Sequence, residues 1–270
     1  MMDNYSSVFI GIIDILGYKA VEQHLSRNGG EHASILLGRV FSTLNSIITS
    51  PAFNNPQIKF IQYGDGFVVY STTRDAESLS IIVKNINLLL ANSLTQGIPL
   101  RAAITEGDIR VSQPNNNGMT ITGSGWLQLQ ELEKTMDWMG GLLHLPSYDN
   151  FHQPEVTKLI RSGNLIVEQK ILSDAVFNFE PPYKEEQSLS NNHSWFLNWQ
   201  KPFKLRNEQS KQYVENWWRS LGYQSSNPDV INKQQNSIKF AEYCYLIQKC
   251  SELVYFSKVC TEIDIGGIQG

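Results

Sequence analysis

Residues Val8 to Ile13 are apolar apart from Gly11 and rich in β-branched types, the pattern of a strand buried on both faces. The run leads into Asp14-Ile15-Leu16-Gly17-Tyr18, and helical spacing follows from Lys19 to Leu25 until Asn28-Gly29-Gly30 breaks it. A second helix is predicted over Glu31–Ile48, with Ile35, Leu36, Val40, Leu44 and Ile47 on one face. Ile58–Tyr63 and Phe67–Tyr70 read as strands joined at Gly64-Asp65-Gly66, a hairpin signature. Asp75 stands at the start of a helix that runs to Leu94. Leu100–Thr105 is a strand, Gly107-Asp108 predicts a turn, and Ile109–Ser112 would return beside it. After the loop Asn115-Asn116-Asn117-Gly118, a short strand at Met119–Thr122 precedes a helix over Ser124–Trp138 that carries Leu127, Leu129, Leu132 and Met136.

The order β-α-α-β-β-α-β-β-α sets crossover helices against an antiparallel-rich sheet, an α+β, ferredoxin-like arrangement. Beyond about Tyr148 the pattern loses regularity. Pro181-Pro182 and Glu185–His193 read as loops, and helices are predicted over Gln209–Leu221 and Asn236–Val259. The expected division is a core over residues 1–175 and a mostly helical extension over 176–270 packed on it.

Composition narrows the class. Of 270 residues, 41% are hydrophobic, enough for a substantial core. Lys and Arg total 22 against 26 Asp and Glu, so the chain lacks the basic footprint of a general nucleic-acid binder. No apolar run approaches the ~18–20 residues of a membrane span, and the start lacks the basic region of a signal peptide. Cys244, Cys250 and Cys260 are odd in number and show no Cys-x-x-Cys spacing, which predicts free thiols in a reducing cytoplasm. His24, His32, His144, His152 and His193 are scattered without ligand spacing, and Trp217-Trp218 reads as core or dimer packing.

Two carboxylates carry the candidate chemistry. Asp14 ends a buried strand beside a glycine turn, where a carboxylate can hold a hard cation while backbone N–H groups face an anion; it would equally serve as a helix cap. Asp65 sits at the hairpin tip, where an ordinary Asp-Gly turn is the alternative. If their strands are neighbours, the two can share divalent metals that activate a hydroxyl and neutralise a triphosphate.

Here the chain resembles the class III nucleotide cyclases. Asp14-Ile15-Leu16-Gly17-Tyr18 is similar to the element that ends the first strand of that family, and Gly64-Asp65 to its central hairpin. Leu100-Arg101-Ala102-Ala103-Ile104-Thr105-Glu106-Gly107-Asp108 looks like the strand-and-glycine element that follows. Gly123-Ser124-Gly125 leading into Leu132-Glu133-Lys134 looks like the approach to the last core helix. The form is closest to the stand-alone pyrimidine cyclases of bacterial Pycsar antiphage systems, and Asn198-Trp199 resembles a pair those proteins carry. The resemblance covers residues 8–145 well and the remainder weakly.

The resemblance implies conversion of UTP to 3′,5′-cyclic UMP and pyrophosphate, with a separate effector protein sensing the product. Asp14, Asp65 and the carbonyl of Ile15 would hold two Mg²⁺ or Mn²⁺ ions. The turn at Leu16, Gly17, Tyr18 and Lys19 would receive the phosphates, and a symmetric homodimer would share the site. Purine cyclases read the base with Lys or Glu four residues before the hairpin Asp; here that position is Ile61. Tyr63 shares its strand face and suits a smaller ring, with a core aromatic as the alternative. The last helix offers Gln128 and Gln130 but no Arg, so Arg101 and Lys134 become the candidates for transition-state charge, with a surface charge near the strand end and a solvated helix residue as their respective alternatives. CTP as substrate, or a degenerate domain that binds nucleotide without turnover, are the competing expectations.

Overall fold

The structure, a computed structural model, describes residues 2–18, 33–50, 55–96, 98–112, 119–136, 138–145, 176–178, 194–197 and 231–239, with isolated positions from 212 to 241. The elements are β1 (Met2–Ile15), α1 (Ala33–Ile48), β2 (Ile58–Tyr63), β3 (Gly66–Ser71), α2 (Ala76–Thr95), β4 (Leu100–Ser112), β5 (Thr120–Thr122), α3 (Ser124–Thr135), β6 (Gly140–His144), β7 (Val176–Asn178) and β8 (Ser194–Leu197). The helix expected over Lys19–Leu25, the Gln209–Leu221 helix as a whole, Asn198-Trp199 and the three cysteines lie outside the described residues.

One sheet runs in the order β2-β3-β1-β4-β6-β8-β7, with β5 paired to β4. Each of the first four strands in this order is antiparallel to its neighbours among them. Their order, with a helix between β1 and β2 and another between β3 and β4, is the ferredoxin-like arrangement the sequence predicts. The apolar run of β1 explains its central place. Phe9, Ile10, Ile13 and Ile15 are buried, and neighbouring strands cover both edges. Helix α2 begins where expected: the Asp75 carboxylate accepts a hydrogen bond from the Ser78 N–H at 2.7 Å and caps the first turn.

Register assigns the faces. Ile10, Ile12 and Asp14 of β1 pair across to Thr105, Ala103 and Arg101 of β4. On the other side Ile10 and Ile12 pair with Tyr70 and Val68 of β3, which pair in turn with Lys59 and Ile61 of β2. All of these share one face, and α3 lies over part of it: a Cβ on Gly125 would come within 2.6 Å of the Ile10 side chain. The opposite face carries Phe9, Ile13 and Phe67, and Phe67 meets Phe41 of α1 edge-on at 4.5 Å.

One expectation is corrected. Gly107-Asp108 is not a turn; β4 runs through it from Leu100 to Ser112. The pair instead faces a bulge in β1, where the register slips between Tyr5 and Val8 and Ser7 adopts φ 53°. The Asp108 carboxylate accepts from the Ser7 N–H at 3.0 Å, so the polar residue read as a turn former serves the bulge. Within the segment after 175, the short strands β7 and β8 extend the sheet from β6. Residues 231–239 are helical, and Ser237 Oγ accepts from the Met139 N–H at 2.9 Å, which ties that helix to the core.

Candidate active site

The hairpin between β2 and β3 is a two-residue connection, with Tyr63 pairing directly to Gly66. Gly64 takes φ 58°, the left-handed value that a glycine-first hairpin turn requires. Gly66 is bound to this place by contact: a Cβ there would sit 2.2 Å from the Ile13 carbonyl oxygen and 3.3 Å from Asp14 Cα. The hairpin tip is thereby pressed against the end of β1, and Asp65 comes within electrostatic reach of Asp14.

The charge balance at Asp14 follows from this placement. Its side chain is only 17% exposed, and its pKa is pushed up to about 6. Burial is the largest cause; Arg101 works against it, while the Asp65 and Glu133 carboxylates add to it. Arg101 approaches Asp14 from the neighbouring strand, donating from Nε at 3.1 Å and Nη2 at 2.9 Å, both to Oδ2. Its Nη1 donates to the carbonyls of Glu133, at 3.4 Å, and Met136, at 3.1 Å, at the C-terminal end of α3. Nη2 also pairs with the Glu133 carboxylate.

The remaining candidates fall into three groups. Ile61 and Tyr63 lie on the same face as Asp14, Ile61 buried and Tyr63 41% exposed. The Tyr63 ring meets Trp126 of α3 edge-on at 4.9 Å. On the same helix Gln128 Oε1 accepts from the Thr105 hydroxyl at 3.1 Å. At the turn after β1, the buried Leu16 donates its N–H to the Pro99 carbonyl at 3.0 Å, which leaves that N–H no phosphate to meet. Gly17 has φ 79° and open space where a Cβ would be, and Tyr18 packs partly buried against the core. Ile15 is buried at the strand end, and Lys19 lies outside the described residues. Lys134 is not brought to Asp14; it is 62% exposed and pairs with Glu131 at 2.9 Å. The sequence assigns no site role to Trp126 or Glu133, although Glu133 stands in the Leu132-Glu133-Lys134 element. Their signal was position alone, one in the first turn and one in the last turn of a helix whose start and end were legible.

The donor set suits a hard divalent cation. A half-buried carboxylate held above the usual carboxylate range by burial first and by the Asp65 and Glu133 carboxylates second is a place where added positive charge is favourable. Among the described residues no three His, Cys, Asp or Glu side chains gather as ligands. The two aspartates would therefore need backbone carbonyl and substrate oxygens to complete coordination, the manner in which Mg²⁺ is commonly held beside phosphates.

No family model matches the chain, and no curated protein matches it. Solved structures do show likeness. The adenylyl cyclase CyaB from P. aeruginosa is 13% identical with a TM-score of 0.43, over 73% of this chain and 95% of that one. The guanylate cyclase domain of RhGC from Catenaria anguillulae, in complex with GTP, is 8% identical with a TM-score of 0.46, over 72% and 97%. A double mutant of the guanylyl cyclase domain of the RhoGC fusion protein from Blastocladiella emersonii, in a monomeric crystal structure, is 10% identical with a TM-score of 0.44, over 73% and 96%. At such distances the functional reading rests on the site itself. Among the described residues no helix is long and apolar enough to cross a membrane.

Proposed function

We propose that the protein is a metal-dependent pyrimidine nucleotide cyclase that converts UTP to 3′,5′-cyclic UMP and pyrophosphate. The observation that carries the reading is the convergence of Asp14 and Asp65, one at the end of the central strand and one on the hairpin pressed against it. Asp14, Asp65 and the Ile15 carbonyl would hold two Mg²⁺ or Mn²⁺ ions. When bound, the ions lower the pKa of the ribose 3′-hydroxyl and neutralise the triphosphate. In the reaction the 3′-oxygen loses its proton and attacks the α-phosphorus in line. The bond to the β-phosphate oxygen breaks and pyrophosphate leaves.

The base would lie against the face that carries Ile61 and Tyr63. Ile61 has no group to read a purine edge. The half-exposed Tyr63, braced by Trp126, offers a phenol and a ring face to a smaller base. The Gly17–Tyr18 turn stands at the phosphate end. A homodimer would complete the site, and the cyclic product would act on a separate effector in antiphage defence. A core over 1–175 carrying the chemistry, with 176–270 as its extension, belongs to the same reading. A second reading, a domain that binds nucleotide without turnover, draws on one observation: protein acceptors occupy every guanidinium nitrogen of Arg101.

Incubation with UTP and Mn²⁺ tests the activity. Wild type is expected to release cyclic UMP and pyrophosphate in equal amounts, and Asp65→Ala is expected to release neither while keeping its circular dichroism. Near-normal turnover by folded Asp65→Ala contradicts the assignment.

A further inference from the structure

We infer that Arg101 is a positioning residue, which fixes the Asp14 carboxylate by one oxygen and so leaves the other to a metal; the inference rests on the metal-binding reading above. Both of its bonds to Asp14 end on Oδ2, from Nε at 3.1 Å and Nη2 at 2.9 Å. Two charge-assisted bonds on one oxygen pin that oxygen in place, and with the Cβ–Cγ bond placed by β1 its position sets the turn of the carboxylate. Oδ1 is the oxygen they leave over.

The arginine is itself held from behind. Its Nη1 donates to the Glu133 carbonyl, in the last turn of α3, and to the Met136 carbonyl just past its end, where positive charge is favoured. Glu133 supplies a second carboxylate to the same guanidinium. The side chain is 18% exposed and bridges β1, β4 and the end of α3. An arginine engaged on all sides by the protein is not disposed to follow a phosphate through a reaction. It is disposed to hold a ligand still.

This assignment replaces transition-state charge stabilisation as the role of Arg101, and the two roles differ in what they do to metal affinity. Hydrogen-bonding partners of metal ligands typically contribute about 10–100-fold to affinity. Arg101→Lys retains the charge and loses the fork, so geometry alone is tested. Mn²⁺ binding to the protein without nucleotide, followed by electron paramagnetic resonance of free Mn²⁺, is expected to weaken by about tenfold or more in Arg101→Lys. In turnover the same variant is expected to need a correspondingly higher Mn²⁺ concentration, and saturating Mn²⁺ should restore its kcat to within about threefold of wild type. Arg101→Gln, which keeps a planar amide, serves as a second variant should the lysine disturb folding, and is expected to weaken Mn²⁺ binding likewise. Wild-type Mn²⁺ affinity in either folded variant, with kcat lost at saturating metal, overturns the positioning role and leaves the metal-dependent cyclase reading standing. A wild type that binds no Mn²⁺ overturns both.

Discussion

Replacing Asp14 by Asn should stabilise the metal-free protein at neutral pH, the reverse of what loss of a buried ion pair usually does. The reason lies in the sign of the shift. The Asp14 pKa is raised from 3.8 to about 6 by burial and by Asp65 and Glu133, in spite of Arg101. Below about pH 4 the carboxyl is protonated in folded and unfolded chains alike, and the site is unpenalised. Between about pH 4 and 6 the folded chain holds the proton that the unfolded chain has released, so stability falls as pH rises. Above about 6 the penalty is complete. The interval corresponds to about 3 kcal/mol at about 1.4 kcal/mol per pH unit. Water reaches a side chain that is 17% exposed, so roughly 1–3 kcal/mol is the expected size. Asn keeps an oxygen for Arg101, and Arg101 keeps Glu133. Urea unfolding of wild type and Asp14→Asn in chelator, at several pH values from 4 to 7.5, isolates the effect as a difference. The advantage of Asn should be absent near pH 4 and grow to its full size above 6. Mn²⁺ at pH 7.5 should then stabilise the wild type and leave the variant unchanged. A difference that is flat with pH, or a variant less stable at pH 7.5, would refute the charge balance proposed for this site.

Other consequences are as direct. Gly66→Ala places a methyl 2.2 Å from the Ile13 carbonyl oxygen, so the hairpin must move; a loss of about 1–3 kcal/mol or more is expected, together with weaker Mn²⁺ binding, both measurable by denaturation and titration. Asp75→Ala removes the cap bond to the Ser78 N–H and should cost about 1 kcal/mol in urea unfolding, with turnover unchanged. Tyr63→Ala should reduce UTP turnover or selectivity more than it reduces Mn²⁺ affinity. Tyr63→Phe separates the hydroxyl from the ring: selectivity kept means ring contact, selectivity lost means a hydrogen bond. Specific activity should fall on dilution below the dimer dissociation constant, as followed by light scattering; full activity from a demonstrated monomer would contradict a shared site.

The parts of the fold legible in the sequence were those whose local pattern and tertiary role agree. The Val8–Ile13 run is apolar because β1 has a strand on each edge and packed side chains on its faces. Gly64-Asp65-Gly66 reads as a hairpin because the turn needs a left-handed residue and the approach to Ile13 needs a missing Cβ. Gly107-Asp108 misled because glycine and aspartate serve a bulge with the same chemistry as a turn. Strands β7 and β8 are three and four residues long, too short for an alternation to register. At the site, both aspartates were legible from strand-end and hairpin positions. The partners of Arg101 were not. Asp14, Glu133 and Met136 are separated from it by 32 to 87 positions along the chain, and only folding brings them to one guanidinium. The same holds for Tyr63 and Trp126, whose rings meet only once α3 is laid over the sheet.

Turnover of UTP, CTP, ATP and GTP, each alone at equal concentration with Mn²⁺ and with cyclic products identified by mass, decides whether the protein is a pyrimidine cyclase. Cyclic UMP should be the dominant product, with CTP the nearest competing substrate and little product from either purine. A base-reading site that leaves polar groups unpaired against the wrong base discriminates by roughly 1–3 kcal/mol for each group. Comparable turnover of ATP and UTP would contradict the pyrimidine reading, and no turnover of any of the four would contradict the enzyme.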